Sequence, residues 1–327
     1  MLRSDHPALI LAPMEGVTDA PMRALQGEIG AFSFAVSEFL RVSIVPIPGK
    51  VFRREVPELN RGAATPTGLP VVVQILGGHA GRMAESAATA CRAGATAIDI
   101  NFGCPAPTVN RHDGGASLLR HPERIREIVR EVRWAVPPEI PVSAKMRLGW
   151  DDAEAVHLNA DMATEGGASW ITIHARTKVQ NYKPPVFWLP IGEVRARIGV
   201  PVIANGDIWT LDDFRRCQDM TGCRHYMLGR SALARPELSW QIAKELDLTT
   251  QTPPPLDWLR ITSRFLYWLD AYGKGSPHYA MVRMKRWLNF AGSFGEFAHF
   301  DTLKKIKTEP EFMAELRRLS EPASVAF

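Results

Sequence analysis

The sequence predicts an α/β chain that folds as a (β/α)8 barrel, or TIM barrel, followed by a small all-helical domain. Eight short apolar segments alternate with amphipathic segments, and they span roughly 240 residues, close to the usual length of such a barrel. No Gly-x-Gly-x-x-Gly motif follows the first apolar segment. That weighs against a doubly wound open sheet, which is the structural alternative. The composition then changes near residue 250, where prolines follow one another.

The predicted strands are short runs of Val, Ile, Leu, Ala and aromatic residues, as in strands that are buried on both faces. They cover residues 8–12, 32–37, 71–76, 97–101, 142–146, 170–174, 200–204 and 225–228. Apolar residues at helical spacing fill the intervening segments, for example residues 81–93, 122–135, 152–165 and 211–220.

The tail has a different composition from the barrel. Three prolines at 253–255 predict a stiff, extended connection, so we divide the chain into a catalytic barrel, 1–248, and a helical domain, 249–327. Helices are predicted at 258–272, 279–291 and 311–319. From residue 251 onward there are eleven basic and eight acidic residues, against 28 and 27 before it. The basic excess therefore lies in the tail and indicates an anionic partner there.

Composition excludes several classes of protein. Hydrophobic residues make up 46% of the chain and charged residues 23%, which is ordinary for a globular enzyme and argues against disorder. No apolar run is long enough to cross a bilayer, and the first residues lack the layout of a signal peptide. The four cysteines form no Cys-x-x-Cys pair, so we expect neither a metal site nor disulfides, no membrane partner, and a cytoplasmic location.

Polar and small residues follow nearly every predicted strand, where barrels place their functional groups. In chain order these are Pro13, Met14 and Glu15, then Arg41, Gln74, Asn101 and Cys104, then Lys145 with Arg147, then His174, then Asn205, Gly206 and Asp207, and finally Gly229 and Arg230.

Each of these residues alone has an ordinary structural explanation. Cys104 fits a small buried hydrophobe, Asn101 a cap of the next segment, and His174 a core histidine. Together they predict one site. The loops after the seventh and eighth strands suit a phosphate, while the amides and Lys145 can hydrogen-bond a flat heterocycle, so the pattern favours flavin mononucleotide (FMN).

Five short segments of the sequence resemble the tRNA-dihydrouridine synthases, flavoenzymes that reduce uridine in tRNA. They are residues 12–19 (APMEGVTD), 99–105 (DINFGCP), 145–150 (KMRLGW), 174–177 (HART) and 202–208 (VIANGDI). The resemblance covers the barrel from end to end and continues into the tail. Residues 37–42, 108–110 and 279–288 are most similar to the C-type bacterial subgroup, which acts on uridine 16 of the D-loop.

The resemblance implies roles for individual residues. Cys104 would be the proton donor, and Asn101 and Tyr182 would contact the uracil. Bound FMN would be held by Pro13, Met14, Glu15, Gln74, Lys145, His174, Asn205, Gly206, Asp207, Gly229 and Arg230. The tRNA would be contacted by Arg41, Arg283, Lys285 and Lys304. NADPH would reduce the flavin, and we expect a monomer.

The sequence departs from the family in one loop and leaves two other functions open. Many relatives carry a basic residue just before a Gly-Ala pair, where this chain has Arg111-His112-Asp113-Gly114-Gly115-Ala116. A phosphate-binding barrel lyase or isomerase, with Lys145 as a Schiff base, explains the phosphate loops but not Cys104. A non-catalytic RNA-binding protein explains the basic tail but not the polar strand ends.

Overall fold

The computed structural model describes residue 2, residues 5–253 and residues 255–320. Pro254 of the predicted proline connection and residues 321–327 of the predicted tail domain lie outside the described residues. Within the described residues, nine strands form one parallel sheet. They are β1 (Ala8–Leu11), β2 (Phe34–Val36), β3 (Leu40–Arg41), β4 (Val71–Leu76), β5 (Ile98–Phe102), β6 (Val142–Arg147), β7 (Ile171–His174), β8 (Val202–Asn205) and β9 (His225–Leu228).

The sheet closes on itself, which confirms the predicted TIM barrel. Strand β1 pairs with β9 on one side and with β2 on the other, and β2 pairs in turn with β4. The remaining strands follow in chain order from β4 to β9. The two-residue strand β3 was not predicted. It pairs with the end of β4, with Leu40 opposite Ile75 and Arg41 opposite Leu76, and so it extends the rim of the barrel beyond the end of β2.

The helices surround the barrel and form the tail. They are α1 (Ala20–Ile29), α2 (Gly49–Glu55), α3 (Ala80–Arg92), α4 (Pro107–Asn110), α5 (Pro122–Ala135), α6 (Ala155–Glu165), α7 (Leu189–Arg197), α8 (Leu211–Thr221), α9 (Arg230–Ala234), α10 (Leu238–Glu245), α11 (Trp258–Ala271), α12 (Pro277–Phe294), α13 (Phe300–Leu303) and α14 (Glu309–Ser320), with 3-10 turns at Pro57–Arg61 and Gly115–Arg120. The tail is helical, as the sequence predicts.

Local sequence explains where many helices begin. Helix α8 starts with a capping box, in which the Thr210 side chain accepts from the Asp213 amide and the Asp213 carboxylate accepts in return. It ends at Gly222, whose φ of 58° is left-handed. Pro122 occupies the first turn of α5, where its missing N–H costs nothing.

Strand alternation places the functional side chains. Val72, Ala97 and Ile203 belong to one buried apolar cluster. Two residues along a strand return to the same face. Gln74 and Asn205 therefore continue that face toward the carboxyl end of the barrel, and the same alternation turns His174 inward two residues after Thr172.

The tail helices share a buried cluster with the barrel helix α1. Trp287 of α12 is 1% exposed and packs in one cluster with Met22 and Leu25 of α1. Arg264 of α11 makes a two-pronged ion pair with Glu28, at 2.7 and 2.9 Å. The division of the chain at residue 248 remains a prediction.

Within the described residues, no helix combines the length and the apolar character that a membrane span requires.

Candidate active site at the mouth of the barrel

A cavity of about 640 Å³ opens at the carboxyl ends of the strands. The lining includes every residue that was predicted to hold the cofactor, to contact the uracil or to donate the proton. These are Pro13, Met14, Glu15, Gln74, Asn101, Cys104, Lys145, His174, Tyr182, Asn205, Gly206, Asp207, Gly229 and Arg230. The structure thus brings the barrel part of the predicted site together.

A chain of hydrogen bonds fixes the amides on the β4–β5 side of the cavity. The Gln74 amide donates to the buried carboxylate of Asp99 at 2.7 Å, and its Oε1 accepts from Asn101 Nδ2 at 2.9 Å. Asn101 Oδ1 then accepts from the backbone amides of Gly103 and Cys104, both at 2.9 Å. Asn101 therefore does cap the next segment, and its second Nδ2 hydrogen remains for a ligand.

Cys104 lies at the start of the loop that follows β5. Its carbonyl accepts from the Ala116 amide at 3.1 Å. This hydrogen bond joins the two ends of the loop between Cys104 and Ala116. Burial raises the pKa of the Cys104 thiol, and the nearby Glu15 carboxylate raises it further. The thiol is therefore protonated at neutral pH and can serve as an acid rather than as a nucleophile.

Lys145 places a cation at the centre of the cavity. Its Nζ donates to Asn205 Oδ1 at 3.3 Å, and Asn205 Nδ2 donates to the Met227 carbonyl at 2.8 Å. Burial, together with the neighbouring Arg147 charge, lowers the pKa of Lys145 to about 8. Lys145 thus keeps a proton at pH 7 and has donor capacity beyond its one acceptor among the described residues.

His174 is neutral. Burial and the surrounding cations, Arg147 first among them, lower its pKa well below the usual value. Its Nδ1 is buried and has no hydrogen-bond partner among the described residues. A buried polar atom without a partner costs free energy unless a ligand satisfies it. His174 is therefore arranged to meet a polar group of a bound molecule.

The loop after β8 is shaped by Gly206 and Asp207. Gly206 has a φ of 124°, and a side chain there would approach Ala175 to 3.2 Å, so backbone alone fits. The Asp207 carboxylate pairs with Arg176 and accepts from Arg230 at 2.9 Å. Asp207 therefore orients the guanidinium of Arg230 at the cavity wall, while its own side chain is occupied by the two arginines.

Arg147 is the main cavity residue whose role sequence reasoning did not assign. Its guanidinium donates to the carbonyls of Gly103, at 2.9 Å, and of Asn181, at 2.7 Å. It also lies 5.1 Å from the ring of Tyr182. Arg147 thus ties the Cys104 loop to the loop that carries Tyr182. Its position two residues after Lys145, at the end of the same strand, was the available signal.

Aromatic residues from two distant segments close one side of the cavity. Trp209 stacks on Phe294 of α12, with ring centroids 4.8 Å apart, and Arg230 lies 5.1 Å from the Trp209 ring. Phe290 of α12 also lines the cavity. Helical spacing in the tail gave no indication that these rings meet the barrel mouth.

None of the four predicted tRNA contacts lines this cavity, and Arg283 is the most buried of them. It is 5% exposed and donates to the carbonyls of Gly16 and Val17 and to Asp19. Through these hydrogen bonds Arg283 joins α12 to the loop after β1, which lines the cavity. Its contact with tRNA remains a prediction.

The other three predicted tRNA contacts are accessible to different degrees. Arg41 is exposed on β3 and donates to the Thr108 carbonyl at 3.2 Å. Lys285 is half-buried and donates to the Ile306 carbonyl. Lys304 is exposed and pairs with Asp301 one turn away. Their contacts with tRNA remain predictions.

The placement of Arg283 predicts a large loss of stability on substitution. Arg283→Met should lower the free energy of unfolding by about 3 kcal/mol, because it removes a buried cation that donates to Asp19 and to the carbonyls of Gly16 and Val17. Urea denaturation measures this. The matched variant Lys304→Met removes a charge from an exposed pair and should change stability by less than about 0.5 kcal/mol. Equal losses in the two variants would contradict the structural role of Arg283.

Among the described residues, no group of three or more His, Cys, Asp or Glu side chains is arranged to hold a metal ion.

Known proteins resemble this chain over most of its length. The dihydrouridine synthase (Dus) family matches residues 10–323. A tRNA-dihydrouridine(16) synthase of Aquipseudomonas alcaligenes is 46% identical over 281 residues, which are 86% of this chain and 89% of that protein. A tRNA-dihydrouridine(16) synthase of Neisseria meningitidis serogroup B is 39% identical over 323 residues, covering 95% of each chain.

Two solved structures share the barrel fold at low identity. A complex of 2-naphthoyl-CoA reductase has a TM-score of 0.55 at 11% identity, covering 73% of this chain and 50% of that one. An old yellow enzyme homologue from Zymomonas mobilis has a TM-score of 0.50 at 12% identity, covering 73% and 88%. The fold, the cavity at the barrel mouth and the family match over residues 10–323 lead to one conclusion: this chain belongs to the dihydrouridine synthase family of flavin-dependent oxidoreductases.

Proposed function

We propose that this protein is an FMN-dependent tRNA-dihydrouridine synthase, which uses NADPH to reduce the C5–C6 double bond of uridine 16 in the tRNA D-loop. The observation that carries the proposal is the placement of the protonated Cys104 thiol in one cavity with Lys145 and the unpartnered His174. The relatives named tRNA-dihydrouridine(16) synthase, 39 to 46% identical, support the target position.

The cavity suits FMN. A volume of about 640 Å³ is in the range of small-molecule and cofactor sites. The free donor capacity of Lys145 and the unpartnered Nδ1 of His174 suit a ring with carbonyl and nitrogen edges. Arg230 and the backbone after β8, where Gly206 allows close approach, suit the phosphate, as is common at this corner of TIM barrels.

The chain's own residues position the uracil and supply a proton. FMN, when bound and reduced by NADPH, would supply the hydride that is added to C6 of the uracil. The free Nδ2 hydrogen of Asn101 and the ring of Tyr182 hold the base against the cavity wall. The Cys104 thiol then gives its proton to C5. Because burial raises the pKa of this thiol, the acid is present at neutral pH, where a surface carboxyl would already be ionised.

The cavity position requires that the base leave the tRNA stack. A uracil inside folded tRNA cannot reach Cys104 unless its nucleotide is extruded. Tyr182 is 49% exposed at the cavity mouth, lying edge-on to His174 with ring centroids 6.1 Å apart. An aromatic ring in this position can meet an entering base, and the Arg147 contact keeps it in place. We further propose that the protein works in the cytoplasm as a monomer.

The decisive experiment maps dihydrouridine in tRNA from cells with and without this protein. We expect loss of the modification at position 16 alone, and its return when unmodified tRNA is incubated with the purified yellow protein and NADPH. Loss at a different D-loop position would contradict the target assignment. A colourless protein that leaves uridine unchanged would contradict the proposed chemistry.

A further inference from the structure

A second cleft, of about 580 Å³, lies on the same rim of the barrel. Its walls come from the segments after β3, β4 and β5 and from Arg124 of α5. Pro107 of α4 lines the first cavity and Val109 of the same helix lines the second. One short helix therefore separates the two, and its four residues rise by only about 6 Å.

The cleft is basic, and two of its arginines are not paired with an acid. Arg41, Arg82 and Arg124 line it, with Asp113 as the acidic residue among the lining residues. Asp113 pairs with Arg124 at 2.6 Å. Arg41 and Arg82 have no ion pair among the described residues. Each donates to one backbone carbonyl, Arg41 to Thr108 at 3.2 Å and Arg82 to Ser43 at 3.0 Å.

These contacts hold the two side chains while leaving most of their donors free. A guanidinium has five N–H donors, so one carbonyl contact orients it and leaves a fork that matches the oxygens of a phosphate. Helix α3 also begins in this cleft: His79 is its cap, accepting from the Arg82 amide at 3.3 Å. The positive end of the helix dipole thus adds to the arginine charges.

The position of the cleft identifies its ligand. Arg41 and His79 are exposed, so a macromolecule can reach them. The nucleotides on either side of an extruded base are covalently attached to it, and their phosphates must lie just outside the cavity that holds the base. The basic cleft, which helix α4 separates from the cavity that contains Cys104, lies in this position.

We propose that this cleft binds backbone phosphates of the RNA substrate next to the uridine that is reduced, with Arg82 as a direct contact beside Arg41, whose contact with tRNA the family resemblance already implies. The inference rests on the proposed function for the nature of its ligand.

The test uses the full-length protein with bound flavin and unmodified tRNA, and compares three variants. Arg82→Gln removes the proposed contact, Arg82→Lys keeps the charge, and Arg92→Gln makes the same change on the far end of α3, where Arg92 is exposed. The dissociation constant for tRNA is measured between about 0.05 and 0.2 M salt, a range in which phosphate contacts weaken strongly.

We expect Arg82→Gln to weaken tRNA binding about tenfold at low salt and to reduce the slope of log K against log salt by about 1. Arg82→Lys should keep most of the slope, and Arg92→Gln should match the unsubstituted protein. Equal slopes for Arg82→Gln and Arg92→Gln would overturn the proposal. So would a raised KM for NADPH in flavin reduction with an unchanged salt slope, because the cleft would then bind the dinucleotide.

The proposed reaction and the proposed RNA-binding cleft can be tested separately. If the unsubstituted protein forms no dihydrouridine but still shows an Arg82-dependent salt slope, the proposed reaction is wrong and the RNA-binding cleft stands. If it forms dihydrouridine and Arg82→Gln binds tRNA normally, the cleft is wrong and the reaction stands. Flavin absorbance and thermal denaturation show whether each variant is folded.

Discussion

Replacing Cys104 with alanine is expected to lower the rate of uridine reduction at least about 100-fold, because it removes the general acid of the reaction. Flavin binding and tRNA binding should remain close to those of the unsubstituted protein, since the loop is held by backbone contacts. Asn101 accepts from the Gly103 and Cys104 amides, and the Cys104 carbonyl accepts from Ala116. Single-turnover formation of dihydrouridine by the reduced enzyme measures the effect.

Cys91→Ala is the matched control for this prediction. Cys91 is a second free thiol, half-buried on α3 and packed against the core away from the cavity. Its removal should leave the rate of uridine reduction unchanged. If Cys104→Ala reduced tRNA as fast as Cys91→Ala does, another group would be the proton donor, and the role of the strand-end thiol would be structural.

Replacing Lys145 with methionine is expected to raise the dissociation constant for FMN at least about tenfold at pH 7. The variant loses a charged donor whose one hydrogen bond within the described residues is to Asn205, at 3.3 Å, and charged hydrogen bonds contribute about 1.5–3 kcal/mol. Quenching of flavin fluorescence measures the constant. Lys183→Met is the control, since Lys183 is exposed and does not line the cavity.

The pKa of Lys145 adds a pH dependence with a definite sign. Burial lowers this pKa to about 8, whereas acceptor atoms of a bound ring favour the charged form. Below pH 8 the amine already carries its proton and affinity is constant. Above pH 8 binding must take up a proton, so the dissociation constant should rise toward tenfold per pH unit. In Lys145→Met this rise should disappear. A rise of the same size in both proteins would assign the titration to another group.

The family assignment decides between the enzymatic functions that the residues alone left open. A barrel lyase with a Schiff base at Lys145 remained open from the residues alone, because a lysine at a strand end beside phosphate-binding loops suits that chemistry. The match to dihydrouridine synthases over residues 10–323 decides for flavin-dependent reduction. The observed contact of Lys145 with Asn205, two strands away, also fits a residue that shares a ligand with its neighbours.

The barrel part of the site was predictable because strand periodicity is a local property. Once a segment such as residues 71–76 is recognised as a strand, its end and its inward face follow from alternation alone. Gln74, Lys145 and Asn205 were predicted as polar residues at or near strand ends, and all three line the cavity. The length of β2 and the short β3 were not predicted, because pairing of Leu40 with Ile75 depends on a partner thirty-five residues away.

The tail was predicted correctly as helical, but the sequence did not show that Arg283 is buried. A basic residue on an amphipathic helix looks the same in sequence whether it faces water or a buried carboxylate. Which of these applies depends on how α12 docks against the loop after β1, where Gly16, Val17 and Asp19 occupy the guanidinium. The same docking brings Phe290 and Phe294 to the cavity mouth.

Local periodicity and contiguous motifs were enough to predict the barrel, the strand ends that carry Asn101 and Cys104, and the family. The protonation states and hydrogen-bond partners of those groups depend on the fold. Burial raises the pKa of the Cys104 thiol and lowers that of Lys145, and buried Asp99 orients the two amides. Desolvation and hydrogen bonding between distant segments arise only when the chain is folded, so no local pattern encodes them.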